Sequence, residues 1–180
     1  MNTFISMLRG INLGAKNRIA MPALKNLYES LGLTNVVTYV QSGNVVFESA
    51  ITDEAQLAAS IAVEITRTLS LDIPVLVRDR ACFARLVTGN PFLPQHAEDP
   101  TKLHITFLAD VPSVELVNKL TVPPGCGDEF MLEERELYLF CPGGYGETKL
   151  SNSFFERKLK MVATTRNWKT VTALYEMAHR

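Results

Sequence analysis

The chain has 180 residues, 47% hydrophobic and 21% charged, with a net charge of −1. That length can bury roughly 70% of the unfolded surface, so the core needs no disulfide or metal staple; one domain or two small ones fit it. No apolar run approaches a membrane span, and residues 1–8 are too short and uncharged for a signal peptide, so the expected address is the cytoplasm, with no membrane.

Residues 3–8 read as a short buried strand, followed by a loop over 9–20 that holds Gly10 and Gly14. Pro22 suits the first turn of a helix. Its stripe is Met21, Leu24, Leu27 and Leu31, and Gly32 marks its end. Two β-branched runs then flank Gly43-Asn44, a pair suited to a two-residue type II′ hairpin. Thr52 can cap the next helix, whose stripe is Leu57, Ile61, Ile65 and Leu69. Residues 74–78 form a fourth strand.

After a linking helix over 81–87 and a proline-rich connector, residues 102–108 read as a strand and 112–120 as a helix. Strands over 129–132 and 137–140 enclose Glu133-Glu134-Arg135-Glu136. Ser153 to Glu156 has capping-box spacing, and Asn167 can cap a last helix with the stripe Trp168, Val171, Leu174, Tyr175 and Ala178. The fourth strand of this half is expected to be short or missing near residues 161–164.

The order βαββαβ, twice, predicts an α+β fold of two tandem ferredoxin-like halves. The second is expected to be degenerate, with an extra C-terminal helix. The boundaries are 1–78 for the first half, 79–101 for the linking helix and connector, and 102–180 for the second half. A right-handed crossover makes strands one and two parallel, with strand three beside strand one. The end of strand one then meets the hairpin tip. That rim gathers Arg9, Asn12, Lys16, Gln41, Ser42 and Asn44; the corresponding edge of the second half carries Asp110, Glu133, Glu134 and Glu136.

Charge is unevenly spread. Residues 1–28 hold four bases and no acid, 149–180 hold seven bases and two acids, and the middle is strongly acidic. Such asymmetry can mark a partner surface, or basic ends that meet the acidic middle.

Four stretches, Leu8-Arg9-Gly10-Ile11-Asn12-Leu13-Gly14, Thr38 through Phe47, Asn90-Pro91-Phe92, and Thr165-Arg166-Asn167-Trp168-Lys169-Thr170, together resemble the uncharacterised bacterial domain-of-unknown-function family 1697. Ala15 stands where a second glycine is expected. The resemblance implies a duplicated ferredoxin-like α+β fold, and it carries no established activity, substrate or catalytic residue.

Few motifs point to chemistry. The loop Gly10 to Lys16 fails the Walker spacing, which leaves a looser anion nest with Arg9 and Lys16 or simple tight turns. Gly143-Gly144-Tyr145-Gly146 lacks the βαβ setting of a dinucleotide fingerprint and reads as a turn. His96, His104 and His179 lack metal spacing, so no metal is expected, nor any cofactor. Cys82, Cys126 and Cys141 read as free thiols, with no base placed beside Cys126. Glu133, Glu134 and Glu136 are expected to be solvated at their hairpin tip. Trp168 reads as core, and Arg166 can hold either an internal carboxylate or a ligand anion.

The favoured reading is a binding module for a small anionic or nucleotide-like ligand at the rim of Arg9, Asn12, Lys16, Gln41, Ser42 and Asn44, with Arg166 as a further candidate. Asn12 and Asn44 have an alternative job in their own turns, since Asn accepts left-handed geometry. A second reading is a phosphate-ester or acyl-phosphate hydrolase using the loop after strand one. A third is nucleic-acid binding, disfavoured because the acidic middle and the strand aromatics Phe4 and Phe47 lack the basic pattern of RNA-binding sheets.

Overall fold

The computed structural model describes residues 1–125 and 127–180; the reading of Cys126 lies outside the described residues. Tertiary contacts gather the chain into two units, Met1–Leu86 with Ala173–Arg180, and Val87–Thr172.

In the first unit β1 (Asn2–Leu8) leads into α1 (Met21–Ser30), and β2 (Thr34–Tyr39) and β3 (Asn44–Ser49) form a hairpin. Then come α2 (Glu54–Leu69), β4 (Val75–Asp79) and α3 (Arg80–Gly89), the last running past the end of the unit. The sheet order is β2-β3-β1-β4, and every neighbouring pair is antiparallel. Phe4, Leu8, Val45, Phe47 and Val77 of the sheet pack against Leu24, Leu27 and Tyr28 of α1 and Leu57, Ile61 and Ile65 of α2. The other face is buried too, at Ile5, Met7, Val46, Leu76 and Arg78.

The second unit opens with α4 (Leu93–His96) and a 3-10 turn, Pro100–Lys102. Its sheet is β5 (Leu103–Leu108), β6 (Glu129–Glu133), β7 (Glu136–Phe140) and β8 (Ala163–Asn167), in the order β6-β7-β5-β8, again antiparallel. Its helices are α5 (Val114–Val117), α6 (Asn152–Leu159) and α7 (Trp168–Ala178), whose end belongs to the first unit. Leu108, Leu137, Leu139 and Ala163 pack with Phe154, Phe155 and Leu159 of α6.

The two units repeat one backbone scheme. Leu8 N–H donates to the Gly43 carbonyl and Leu108 N–H to the Arg135 carbonyl, each at 2.9 Å. Arg9 N–H donates to Pro74 and Ala109 N–H to Val162, at 2.9 and 3.0 Å. Ile5 registers with Arg78, and Ile105 with Arg166. At the end of each fourth strand an acid or amide caps the next helix directly: Asp79 Oδ1 accepts from Cys82 N–H at 2.7 Å, and Asn167 Oδ1 from Thr170 N–H at 2.8 Å.

Several local expectations are corrected. The hairpin loop has four residues, 40–43, because Asn44 already pairs with Tyr39 inside the ladder. Its turn takes positive φ at Val40 and Gly43. The residue that caps α2 is Asp53, not Thr52, accepting from Gln56 N–H at 2.9 Å. Ser151 caps α6 in place of Ser153, while Glu156 instead accepts from Ala163 N–H. The predicted helix over 112–120 is a single turn capped by Ser113. The second half is not short of a strand: β8 pairs with β5 along five residues. Nor is its last helix an addition without counterpart, since α3 follows β4 in the same way. α1 ends as expected, with Gly32 N–H on Glu29 and Leu33 N–H on Tyr28, a Schellman closure around a glycine at φ 77°.

The paired caps make a direct prediction. Asp79→Ala and Asn167→Ala should each cost about 1 kcal/mol in urea denaturation, and Ser at either position should restore most of it.

Candidate functional site

The rim is built by Asn12. The loop after β1 alternates into left-handed backbone at Gly10, Asn12, Gly14 and Asn17. Ile11 and Ile19 sink into the core and fix its two ends. Between them Asn12 Oδ1 accepts from Ile19 N–H at 2.9 Å. Its Nδ2 donates to the Ile19 carbonyl at 3.0 Å and to the Gln41 carbonyl at 2.8 Å. Asn17 closes the loop by donating to the Gly10 carbonyl. The last of the Asn12 bonds ties the loop to the hairpin tip, 29 residues away in sequence, where the topology places it.

Asn44 does the matching work on the other side. It is fully buried at the start of β3, and its Nδ2 donates to the Tyr39 carbonyl at 3.1 Å and to Ser42 Oγ at 2.9 Å. Both N–H groups of each amide are therefore spent on protein atoms, the turn-building role that asparagine chemistry allows. Gln41, Ser42 and Lys16 are exposed, and Arg9 is half-buried. Residues 9–20 carry Arg9, Lys16 and Arg18 and no acid. Arg18 Nε donates to the Gly14 carbonyl at 3.2 Å.

Arg166 lies in the second unit, on β8. It is 8% exposed, and its Nη1 donates to Thr164 Oγ1 at 2.8 Å and to the Thr165 carbonyl at 2.9 Å. Arg78 holds the same register position in the first unit, 2% exposed, with Nη1 on the Val77 carbonyl. At the acidic edge Glu133 and Glu134 are exposed, as expected. Glu136 is buried instead, because it is the first residue of β7, as Asn44 is of β3. Tyr138 Oη donates to Glu133 at 3.0 Å.

Two features of the second unit escaped sequence reasoning. Lys149, Arg157 and Lys158 line one cleft of about 550 Å³ with Ser151 and Ser153, and among the described residues no acid lines it. The basic excess after residue 149 was visible in the sequence, but its convergence depends on the turn before α6. The other feature is a cavity of about 500 Å³ at the start of β5 and the start of α7, which includes His104 and Trp168 among its walls. No periodicity marks it: Trp168 reads as core, and His104 only as a histidine without metal spacing. Among the described residues no group of three His, Cys, Asp or Glu side chains could hold a metal ion.

Burial holds the His104 imidazole below its usual value, with a hydrogen bond to the Lys102 backbone pulling part of the way back. A histidine depressed in the folded state takes up a proton on unfolding, so its contribution is present above the unfolded pKa and is lost as pH falls. Stability should decline as pH drops below about 6.5, the ordinary histidine value; the decline should be shallower in His104→Phe, measured by urea denaturation across that range. Gly43 gives a second test. At φ 76°, a Cβ there would sit 2.6 Å from Ile11 Cδ1 and 2.9 Å from Leu8 Cβ. Gly43→Ala should cost about 3 kcal/mol, from strain and overpacking together. Gly14→Ala, at φ 71° in open space, should cost about 1 kcal/mol.

Comparison with known proteins agrees with this architecture. A solved structure, that of the conserved bacterial protein SP0830 from Streptococcus pneumoniae, superposes with a TM-score of 0.76 over 98% of each chain, at 21% identity. At that identity the likeness shows the fold alone. No curated protein matches the chain. Residues 1–138 match the family described as "Protein of unknown function (DUF1697)". The match runs from β1 into β7, including the asparagine-built rim, and the chain belongs to that family.

Proposed function

We propose that the protein is a binding module for a small anionic ligand, one bearing a phosphate or carboxylate, at the rim of the first unit. The halves are read as ferredoxin-like and related by duplication, on the strength of their shared strand order and backbone scheme. The observation that carries the site is the bond from Asn12 to the Gln41 carbonyl. It holds an acid-free loop with Arg9 and Lys16 against the exposed tip of Gln41 and Ser42. In this reading Arg9 and Lys16 supply charge, Gln41 and Ser42 supply orientation, and Asn12 and Asn44 hold the loops in place. A hydrolase would ask Asn44 for an amide N–H directed at phosphate, and both of its N–H groups are already donated. The aromatics that an RNA-binding sheet would stack on, Phe4 and Phe47, are buried.

The test is thermal denaturation against a panel of inorganic phosphate, pyrophosphate, nucleotides and dicarboxylates. Ligand at about 100 times Kd should add about 2.7 kcal/mol. Arg9→Lys keeps the charge and loses the planar fork; it should leave the ligand-free melting temperature nearly unchanged and abolish most of the shift. If Arg9→Lys leaves the shift intact, the anion binds elsewhere.

The cleft of Lys149, Arg157 and Lys158 is the second place for the same chemistry. Its favouring observation is that Arg157 and Lys158 line it with no side-chain hydrogen bond or ion pair among the described residues. A shift that survives Arg9→Lys and disappears in the double variant Arg157→Glu, Lys158→Glu assigns binding there.

A further inference from the structure

We infer that the anion bound at the rim of the first unit is a nucleoside phosphate, its base resting on Leu13 and Val40; the inference depends on the anion-binding reading of that rim. Its starting point is the backbone of Val40. Among the described residues seven non-glycines take positive φ, and Val40, at 50°, is the β-branched one. Left-handed backbone is a strained place for such a side chain. The others have evident grounds for it. Asn12, Asn17 and Asn35 are of the type that tolerates it, and Ser70 and Lys160 end α2 and α6. Glu134 holds the place of Val40 in the second hairpin, directly after the last paired residue of its strand, and is an exposed charge.

Packing does not offset the strain, because Val40 is 49% exposed. A strained residue that the surrounding structure holds in place points to a use for its side chain outside the chain. Leu13 gives that use a direction. It is 70% exposed, it follows Asn12 in sequence, and Val40 precedes Gln41. The bond from Asn12 Nδ2 to the Gln41 carbonyl, 2.8 Å, therefore brings an exposed aliphatic side chain to the rim from each loop. Isolated exposed apolar residues are ordinary; here two stand at one seam, beside Arg9 and Lys16 in a loop without acid.

Three chemistries meet at that seam. Arg9 and Lys16 suit a phosphate. Leu13 and Val40 suit a flat apolar face that shields them from water. The Gln41 side chain makes no hydrogen bond among the described residues and offers donors and an acceptor to a ring edge. A free phosphate uses the first alone, and an alkyl phosphate the first two. A nucleoside phosphate uses all three.

The test is calorimetry on the full chain with the four common nucleoside monophosphates, with ribose 5-phosphate lacking the base, and with hexyl phosphate lacking the ring edge. At least one nucleotide should bind about tenfold tighter than either simpler phosphate. Val40→Asn, which suits left-handed backbone, and Leu13→Ser should each remove most of that advantage and leave the affinity for ribose 5-phosphate unchanged. Val40→Asn should also melt no lower than the parent chain, which separates a lost contact from lost folding. Ribose 5-phosphate or hexyl phosphate binding as tightly as every nucleotide, or nucleotide affinities unmoved by both variants, overturns this inference and leaves the rim an anion site. Absence of binding by all the phosphates overturns both.

Discussion

Each sheet depends on a central strand that is paired on both edges and buried on both faces. β1 lies between β3 and β4, and β5 between β7 and β8. From Phe4 to Leu8, and from Leu103 to Leu108, every residue is buried, His104 being the most exposed at 6%. Any polar side chain on these strands must then find its partner inside. Ser6 meets Tyr28 Oη at 2.8 Å, and burial drives the Tyr28 hydroxyl well above its usual range. Thr106 meets Thr165, which in turn donates to Asn152 at the start of α6. The strands are thus closed to ligands along their length, and chemistry is left to their ends.

At those ends the two units share a framework and differ in side chains. The same backbone bond that joins Leu8 to Gly43 joins Leu108 to Arg135. Around it the first unit places Arg9, Gly43 and Asn44, and the second Ala109, Arg135 and Glu136. At the opposite end, Phe4 in one unit corresponds to His104 in the other. A fixed hydrogen-bond scheme carries different chemistry in each half, as expected where function resides in grafted groups and not in the fold.

The architecture was legible because it rests on long-period signals. Apolar stripes on α1 and α2, β-branched runs, and the Gly32 stop each act within one element. The connection rules then place β1 beside β3 without further information. What the sequence concealed was a choice between near-equivalent residues. Thr52 and Asp53 can both cap α2, and Ser151 and Ser153 can both cap α6; the choice is made where the chain enters the helix. β8 was hidden because Thr164, Thr165 and Arg166 look polar, yet they are paired inside the sheet. Gly43-Asn44 looked like a tight turn because the pair has the right chemistry for one, while Asn44 is drawn into the ladder by its own side-chain bonds.

The rim shows the same division between location and role. Its location follows from topology, and hydrogen bonds there link Asn12 to Gln41 and Asn44 to Ser42. Roles follow from hydrogen-bond accounting, which a sequence does not contain. An amide has two N–H donors, and a left-handed loop carrying an Ile19 or a Tyr39 carbonyl will claim them before any ligand does. Asn12 and Asn44 are consumed in this way, so the polarity that first marks the rim is mostly the means by which it is built. Exposed at the rim are Lys16, Gln41 and Ser42, and Arg9 is half-buried. In the second unit the His104 ring, its Nδ1 buried without a hydrogen-bond partner, stacks on Tyr145 at 5.0 Å.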